Sequence, residues 1–217
     1  MDNNITELVF ILDRSGSMNG LEADTIGGFN SFISEQKKDA GEAYVTTVLF
    51  DNEIQIIHDR LKLDEVPKMT DKEYTARGTT ALLDAVGETV RHISDIHRYA
   101  RKEDVPSKTL FVITTDGMEN ASTHYSYQNI KALIEKQKKE GWEFIFLGAN
   151  IDAAETAANL GIGKEFAANY VCDALGTALN FKTVSQVASS VRCGLGISKD
   201  WNKKINADKN KRNKGGN

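Results

Sequence analysis

Leu8-Val9-Phe10-Ile11-Leu12 runs directly into Asp13-Arg14-Ser15-Gly16-Ser17. Five consecutive apolar residues, rich in β-branched and aromatic types, read as a strand buried on both faces, the pattern of a parallel sheet. The polar burst that follows puts one carboxylate and two hydroxyls at alternate positions. A loop turning at the end of a strand can aim all three oxygens at one point, and Gly16 removes the Cβ that would hinder the curvature. These are hard oxygen donors, suited to Mg²⁺, Mn²⁺ or Ca²⁺ rather than to a soft metal. Taken alone, the same residues would serve equally to end a strand and cap a helix.

Two further stretches tip the balance. Ala76-Arg77-Gly78-Thr79-Thr80-Ala81-Leu82-Leu83-Asp84-Ala85 offers a hydroxyl at a helix start. Leu110-Phe111-Val112-Ile113-Thr114-Thr115-Asp116-Gly117 is a second apolar strand ending in an Asp-Gly turn. With D-x-S-x-S, a Thr after a Gly-containing turn and an Asp after a later strand, in that order, the chain resembles the von Willebrand factor A domain and its metal-ion-dependent adhesion site. The resemblance covers roughly residues 5 to 195 and suggests a stand-alone protein of bacterial cytoplasmic type. It implies metal ligation by Asp13, Ser15, Ser17, Thr80 and Asp116. Thr80 is preferred to Thr79 because the family's turn is Gly-Gly-Thr followed after one residue by Leu; here Thr79 stands in place of the second glycine. A helix N-cap is the ordinary role for either threonine.

The resemblance also implies a doubly wound α/β fold of Rossmann-like type. Its mostly parallel six-stranded sheet has the order 3-2-1-4-5-6, strand 3 lies antiparallel at the edge, and helices cover both faces. The residues point the same way. Strands are expected at Leu8–Leu12, Tyr44–Phe50, Glu53–His58, Thr109–Thr115, Trp142–Leu147 and, weakly, Ala167–Val171. Helices are expected at Leu21–Lys38, Thr80–Tyr99, Tyr127–Glu140, Asp152–Leu160 and Ala174–Val191. Strands alternating with helices build a parallel sheet, and the Asp51-Asn52 turn adds an antiparallel hairpin. In such sheets ligands sit outside the carboxyl ends of strands where the strand order reverses. Gly27 and Gly28 weaken the first helix and suggest its close approach to the sheet.

The 217 residues are 40% hydrophobic and 27% charged, the balance of an ordinary globular protein. Residues 1–197 are expected to form the domain, and the Lys/Asn-rich stretch 198–217 a disordered tail. Net charge is −4 overall; Lys199–Asn217 carries +5, so the rest carries −9. An acidic body argues against a nucleic-acid surface, and no apolar run suits a membrane span. The acidic, polar N-terminus shows no secretory signal, which suggests a cytoplasmic protein with Cys172 and Cys193 as buried thiols.

Two carboxylates and three neutral hydroxyls leave a divalent cation, most simply Mg²⁺, incompletely neutralised and with an exchangeable position. In the family a partner's Asp or Glu completes the coordination, so the expected function is cation-dependent protein binding without catalysis. The rival is a Mg²⁺-dependent phosphohydrolase. A haloacid-dehalogenase-type site would want a second Asp where Ser15 stands and a lysine near the later acidic motif. His124 is a loop histidine with a minor claim as a base, and Glu119 and Asn120 are candidates for contacts just outside the ligands. Asn150 or Asp152 is expected to cap a helix. Gly161-x-Gly163 and Gly194-x-Gly196 read as turns, and the lysines of 131–139 as a solvated face.

Overall fold

The computed structural model describes residues 3–214. Six strands, β1 (Ile5–Asp13), β2 (Glu42–Phe50), β3 (Ile54–Lys62), β4 (Lys108–Thr115), β5 (Glu143–Gly148) and β6 (Ala167–Asn169), form one sheet in the order β3-β2-β1-β4-β5-β6. Only the β2–β3 pair is antiparallel. The helices are α1 (Glu22–Gln36), α2 (Leu82–Tyr99), α3 (Tyr127–Lys139), α4 (Ala153–Asn159), α5 (Ala174–Arg192) and α6 (Lys203–Lys214).

β1 is buried along its whole length except at Ile5. Its side chains alternate between two cores, as strand geometry requires. Leu8, Phe10 and Leu12 face α1 and α5, where Phe10 packs edge-on against Phe29 and Phe32. Val9 and Ile11 face Val86, Val90 and Ile93 of α2 and Ile130 and Ile134 of α3. The strand order reverses between β1 and β4, which are neighbours in register from Thr6–Lys108 to Leu12–Thr114. Both end at the same edge of the molecule, with Asp13 on one and Asp116 just beyond the other.

Four details differ from the sequence reading. The stretch after residue 198 carries α6 through Lys214: Trp201, in the turn before the helix, and Ile205, in its first turn, are buried, and α6 lies against α5 and β6. Trp201 Nε1 donates to Glu165 O and Asn202 Nδ2 to Ala167 O, both at 2.8 Å. At the helix's other end Arg212 pairs with Asp173 and, at 2.9 Å, with Asp208. α6 thus covers the edge strand β6, a short strand that would otherwise present unpaired backbone to solvent. Residues 215–217 of the expected tail lie outside the described residues. Secondly, β3 runs on to Lys62, past a register irregularity opposite Val45–Val48. Thirdly, the close approach that Gly28 permits is to α5, not to the sheet: a Cβ there would stand 2.1 Å from Phe181 Cδ2. Fourthly, Cys193 is exposed at the end of α5 while Cys172 is half-buried, and both are free thiols.

Among the described residues no helix is long and apolar enough to cross a membrane.

Candidate metal centre

The backbone at the end of β1 is fixed before any ligand is considered. Arg14 N–H donates to Phe50 O (2.8 Å), Arg77 N–H to Arg14 O (2.7 Å) and Gly16 N–H to Gly78 O (3.1 Å). Asp51, wholly buried, accepts from Arg14 Nε at 3.1 Å and from Arg77 Nε at 2.7 Å. One carboxylate therefore ties the 13–17 loop to the 76–81 loop. A buried carboxylate is tolerated here because two guanidinium groups compensate its desolvation. Gly78 sits at φ +68°, where an L side chain is strained, and a Cβ there would fall 2.1 Å from Asn52 Oδ1 and displace that side chain.

Upon this frame the five sequence-predicted residues come together. Asp13 accepts from Ser15 N–H (2.6 Å) and from the Thr115 hydroxyl (2.5 Å). The Ser15 and Ser17 hydroxyls are 3.0 Å apart, and Ser17 Oγ donates to Asp116 Oδ1 at 2.5 Å. Gly117 reports the third loop: a Cβ at that position would lie 3.1 Å from Thr80 Oγ1, 3.4 Å from Ser17 Oγ and 4.0 Å from Ser15 Oγ. The absence of a side chain at 117 leaves room over three converging hydroxyls. Asp13, Ser15, Thr80 and Asp116 are buried, while Ser17 is exposed and opens the cluster to solvent.

Thr80 is buried at the cluster and Thr79 is exposed. Asn120 brackets Thr80 from both sides, its Oδ1 accepting from Thr80 N–H (2.9 Å) and its own N–H donating to Thr80 O (3.0 Å). Glu119 accepts from Leu83 N–H (2.8 Å) at the start of α2 and from Ala121 and Ser122 N–H. Asp84 accepts from the N–H groups of Thr123, His124 and Tyr125. These carboxylates satisfy backbone donors and favour the positive end of the helix. Thr80→Ala should weaken Mn²⁺ binding on the order of tenfold by calorimetric titration, as expected for one neutral contact. Thr79→Ala should leave it unchanged, and the reverse result would move the ligand by one residue.

Three neighbours of the cluster, Thr115, Cys172 and Tyr74, escaped the sequence reading. Thr115 holds Asp13, and the repeated Thr-Thr before Asp116 was its only signal. Cys172 Sγ lies 3.5 Å from Asp116 Oδ2, a contact made through β6 that no local motif announces. Burial, with Asp116 adding to it, pushes that thiol up to about 12, so it stays a neutral donor. Tyr74, buried, donates to Asp13 O at 2.5 Å. His124 stands apart, 3.9 Å from Asp84 and 3.8 Å from Glu88, and contacts none of the five residues. Asp152 caps α4 through Glu155 N–H.

Asp13 is held above the ordinary carboxylate range. Burial is the main cause and the nearby Asp116 charge adds to it, against hydrogen bonds from Thr115 and Ser15. Two buried carboxylates that repel one another beside an exposed hydroxyl fit a cation, which reverses both penalties. Among the described residues no group of three or more His, Cys, Asp or Glu side chains clusters as a metal site. The donor set is instead two carboxylates and three hydroxyls, a hard, oxygen-only set that matches a Mg²⁺- or Mn²⁺-type ion in chemistry.

A six-stranded doubly wound sheet with carboxylate- and hydroxyl-bearing loops at its switch point defines a class of Rossmann-like α/β domain. The chain belongs to the von Willebrand factor type A domain family, whose model matches residues 7–174. Solved structures share the fold at low identity. Proximal thread matrix protein 1 from the mussel byssus, described with a zinc-occupied MIDAS motif, is 15% identical over 87% of this chain and 47% of its own, with a TM-score of 0.56. The corresponding domain of the type V pili tip protein Mfa5 from Porphyromonas gingivalis is 12% identical, covering 89% of this chain and 97% of its own, at 0.59. Manganese-loaded TRAP protein from Plasmodium vivax is 18% identical over 83% and 74%, at 0.52. This chain spans less than half the length of the mussel protein. No curated protein matches the sequence.

Proposed function

We propose that this chain is a cation-dependent protein-binding module. In this reading an intact metal-ion-dependent adhesion site, made of Asp13, Ser15, Ser17, Thr80 and Asp116, holds one divalent cation, most simply Mg²⁺. The observation that carries it is the convergence of the three hydroxyls of Ser15, Ser17 and Thr80 around Gly117, with Ser17 bonded to Asp116. Neutral hydroxyls and a small number of carboxylates leave the ion coordinatively open toward solvent. An Asp or Glu of a partner protein then completes the coordination, a charge-assisted contact stronger than a neutral one. Proteins of the same fold are described as zinc-occupied or manganese-loaded, which supports a divalent ion at this end of the sheet. The reading places the protein in the cytoplasm, without a nucleic-acid or membrane partner and without catalysis.

Immobilised protein exposed to a cell extract should retain partners in Mg²⁺ or Mn²⁺ and release them on chelation, and Asp116→Ala should retain none of them. Retention indifferent to chelator and to Asp116→Ala would place the interface elsewhere. A phosphatase screen in Mg²⁺ separates the rival: turnover of an aryl phosphate that disappears in Asp13→Asn would favour the phosphohydrolase.

A further inference from the structure

We propose that the partner carries its metal-completing Asp or Glu beside large apolar side chains, and that these seat against Met118 and Leu175; the proposal rests on the metal-anchored binding described above. Among the described residues six large apolar side chains are exposed; Met118 (74% exposed), in the loop after β4, and Leu175 (71%), at the start of α5, are the two most exposed of the three at the end of the sheet where Asp13 and Asp116 meet, Tyr127 at the start of α3 being the third. Gly117 faces the hydroxyl cluster directly, and Met118 follows it by one peptide step, about 3.8 Å between Cα atoms. On a second loop, Cys172 lies 3.5 Å from Asp116, and Leu175 stands three residues further on. Leu175 is in the first turn of α5, which the Asp173 carboxylate fixes by accepting from Gly176 N–H at 2.8 Å. Met118 thus rises from the loop that carries Asp116, and Leu175 from the first turn of the helix that follows Cys172.

A carboxylate on a cation is by itself an undiscriminating contact, since every protein surface offers acidic residues. Apolar groups around it supply selectivity and exclude water, which strengthens the ionic contact they surround. Methionine is suited to this because its flexible thioether adapts to different side chains. Charge decides between the two obvious occupants. The body outside Lys199–Asn217 carries −9, so its net field disfavours a polyacidic segment more than a lone carboxylate set among apolar residues.

The test uses the full chain, immobilised, and a display library of short random peptides with one fixed central Asp. Binding is carried out in Mn²⁺ and elution with EDTA. The expected result is several-fold enrichment of Leu, Ile, Met, Phe and Trp within two residues of the Asp. Met118→Ser with Leu175→Ser should lose that enrichment while its Mn²⁺ titration stays as in the native chain. Enrichment of further Asp and Glu instead of apolar residues overturns the inference, as does undiminished apolar enrichment on the double variant. A normal Mn²⁺ titration without apolar enrichment defeats this inference alone. Absence of Mn²⁺ binding by the native chain defeats the metal-anchored reading and this inference with it.

Discussion

Asp13→Asn should abolish calorimetrically detectable Mn²⁺ and Mg²⁺ binding while leaving the protein folded. The wild-type carboxylate is almost wholly buried, held by Ser15 N–H and the Thr115 hydroxyl, and close enough to Asp116 to be repelled by it. An amide of the same shape keeps the contact with Ser15 and lets the Thr115 hydroxyl rotate to a new role. What it removes is charge, and the proposed cation would lose one of its two anionic ligands. The pH dependence follows from the same group. Its pKa is raised in the folded protein, so the folded state holds that proton more tightly than the unfolded chain. Stability from this group is fully present below the unfolded carboxylate value. It is lost as pH rises through the folded value, when the buried charge must form. The cation needs the charged form, so its stabilising effect has the opposite sense: present above the raised pKa and lost as pH falls through it. Melting curves with Mn²⁺ at about a hundredfold excess over Kd should show roughly 2.7 kcal/mol of added stability at neutral pH. That gain should shrink in mild acid and be absent in Asp13→Asn at every pH. A cation-induced shift that survives the substitution would remove Asp13 from the ligand set.

Truncation after Ile197 should destabilise the protein severely. It deletes Trp201 and Ile205, both buried against the face of the sheet covered by α5. Each such side chain contributes about 1.5–3 kcal/mol on burial. The Trp201 and Asn202 hydrogen bonds to Glu165 O and Ala167 O are lost as well, and β6 becomes a bare edge. Against a total stability of about 5–15 kcal/mol for a domain, the loss is a large fraction. In a chain of this length it corresponds to a fall in melting temperature of about 10 °C or more. Trp201→Ala in the full chain should reproduce about half of the effect. An unchanged melting temperature in the truncated protein would mean that α6 is dispensable and that the domain ends near residue 197.

The contrast between the legible and illegible parts of this chain has a physical basis. β1 and β4 were readable because a strand covered on both faces must be continuously apolar, and because each ends in a short polar burst that has no role inside a sheet. The order of strands and the meeting of Asp13 with Asp116 came with the family resemblance and agree with right-handed βαβ connections. α6 was missed because its anchorage is two residues, Trp201 and Ile205, set four apart in a segment otherwise made almost wholly of Lys, Arg, Asn and Asp; the average hides the pair. Glu7 was missed for the opposite reason. Charge suggests exposure, yet this carboxylate is wholly buried in β1 because Arg60 reaches it at 2.8 Å from β3 and His97 at 3.3 Å from α2. The contact of Cys172 with Asp116 and the bracketing of Thr80 by Asn120 join loops far apart in sequence. Local pattern is silent about such pairs, while the five residues that converge at the ends of β1 and β4 lie in local motifs.

The most direct test of the account is an anomalous-scattering map of crystals grown or soaked with Mn²⁺. The account predicts one strong peak between the ends of β1 and β4. It should lie within about 2.0–2.6 Å of the Ser15 and Ser17 hydroxyls, the range for hard divalent ions. Thr80, Asp13 and Asp116 should be bound directly or through one water. A map with no peak there at saturating Mn²⁺, or with its peak on other side chains, would contradict it.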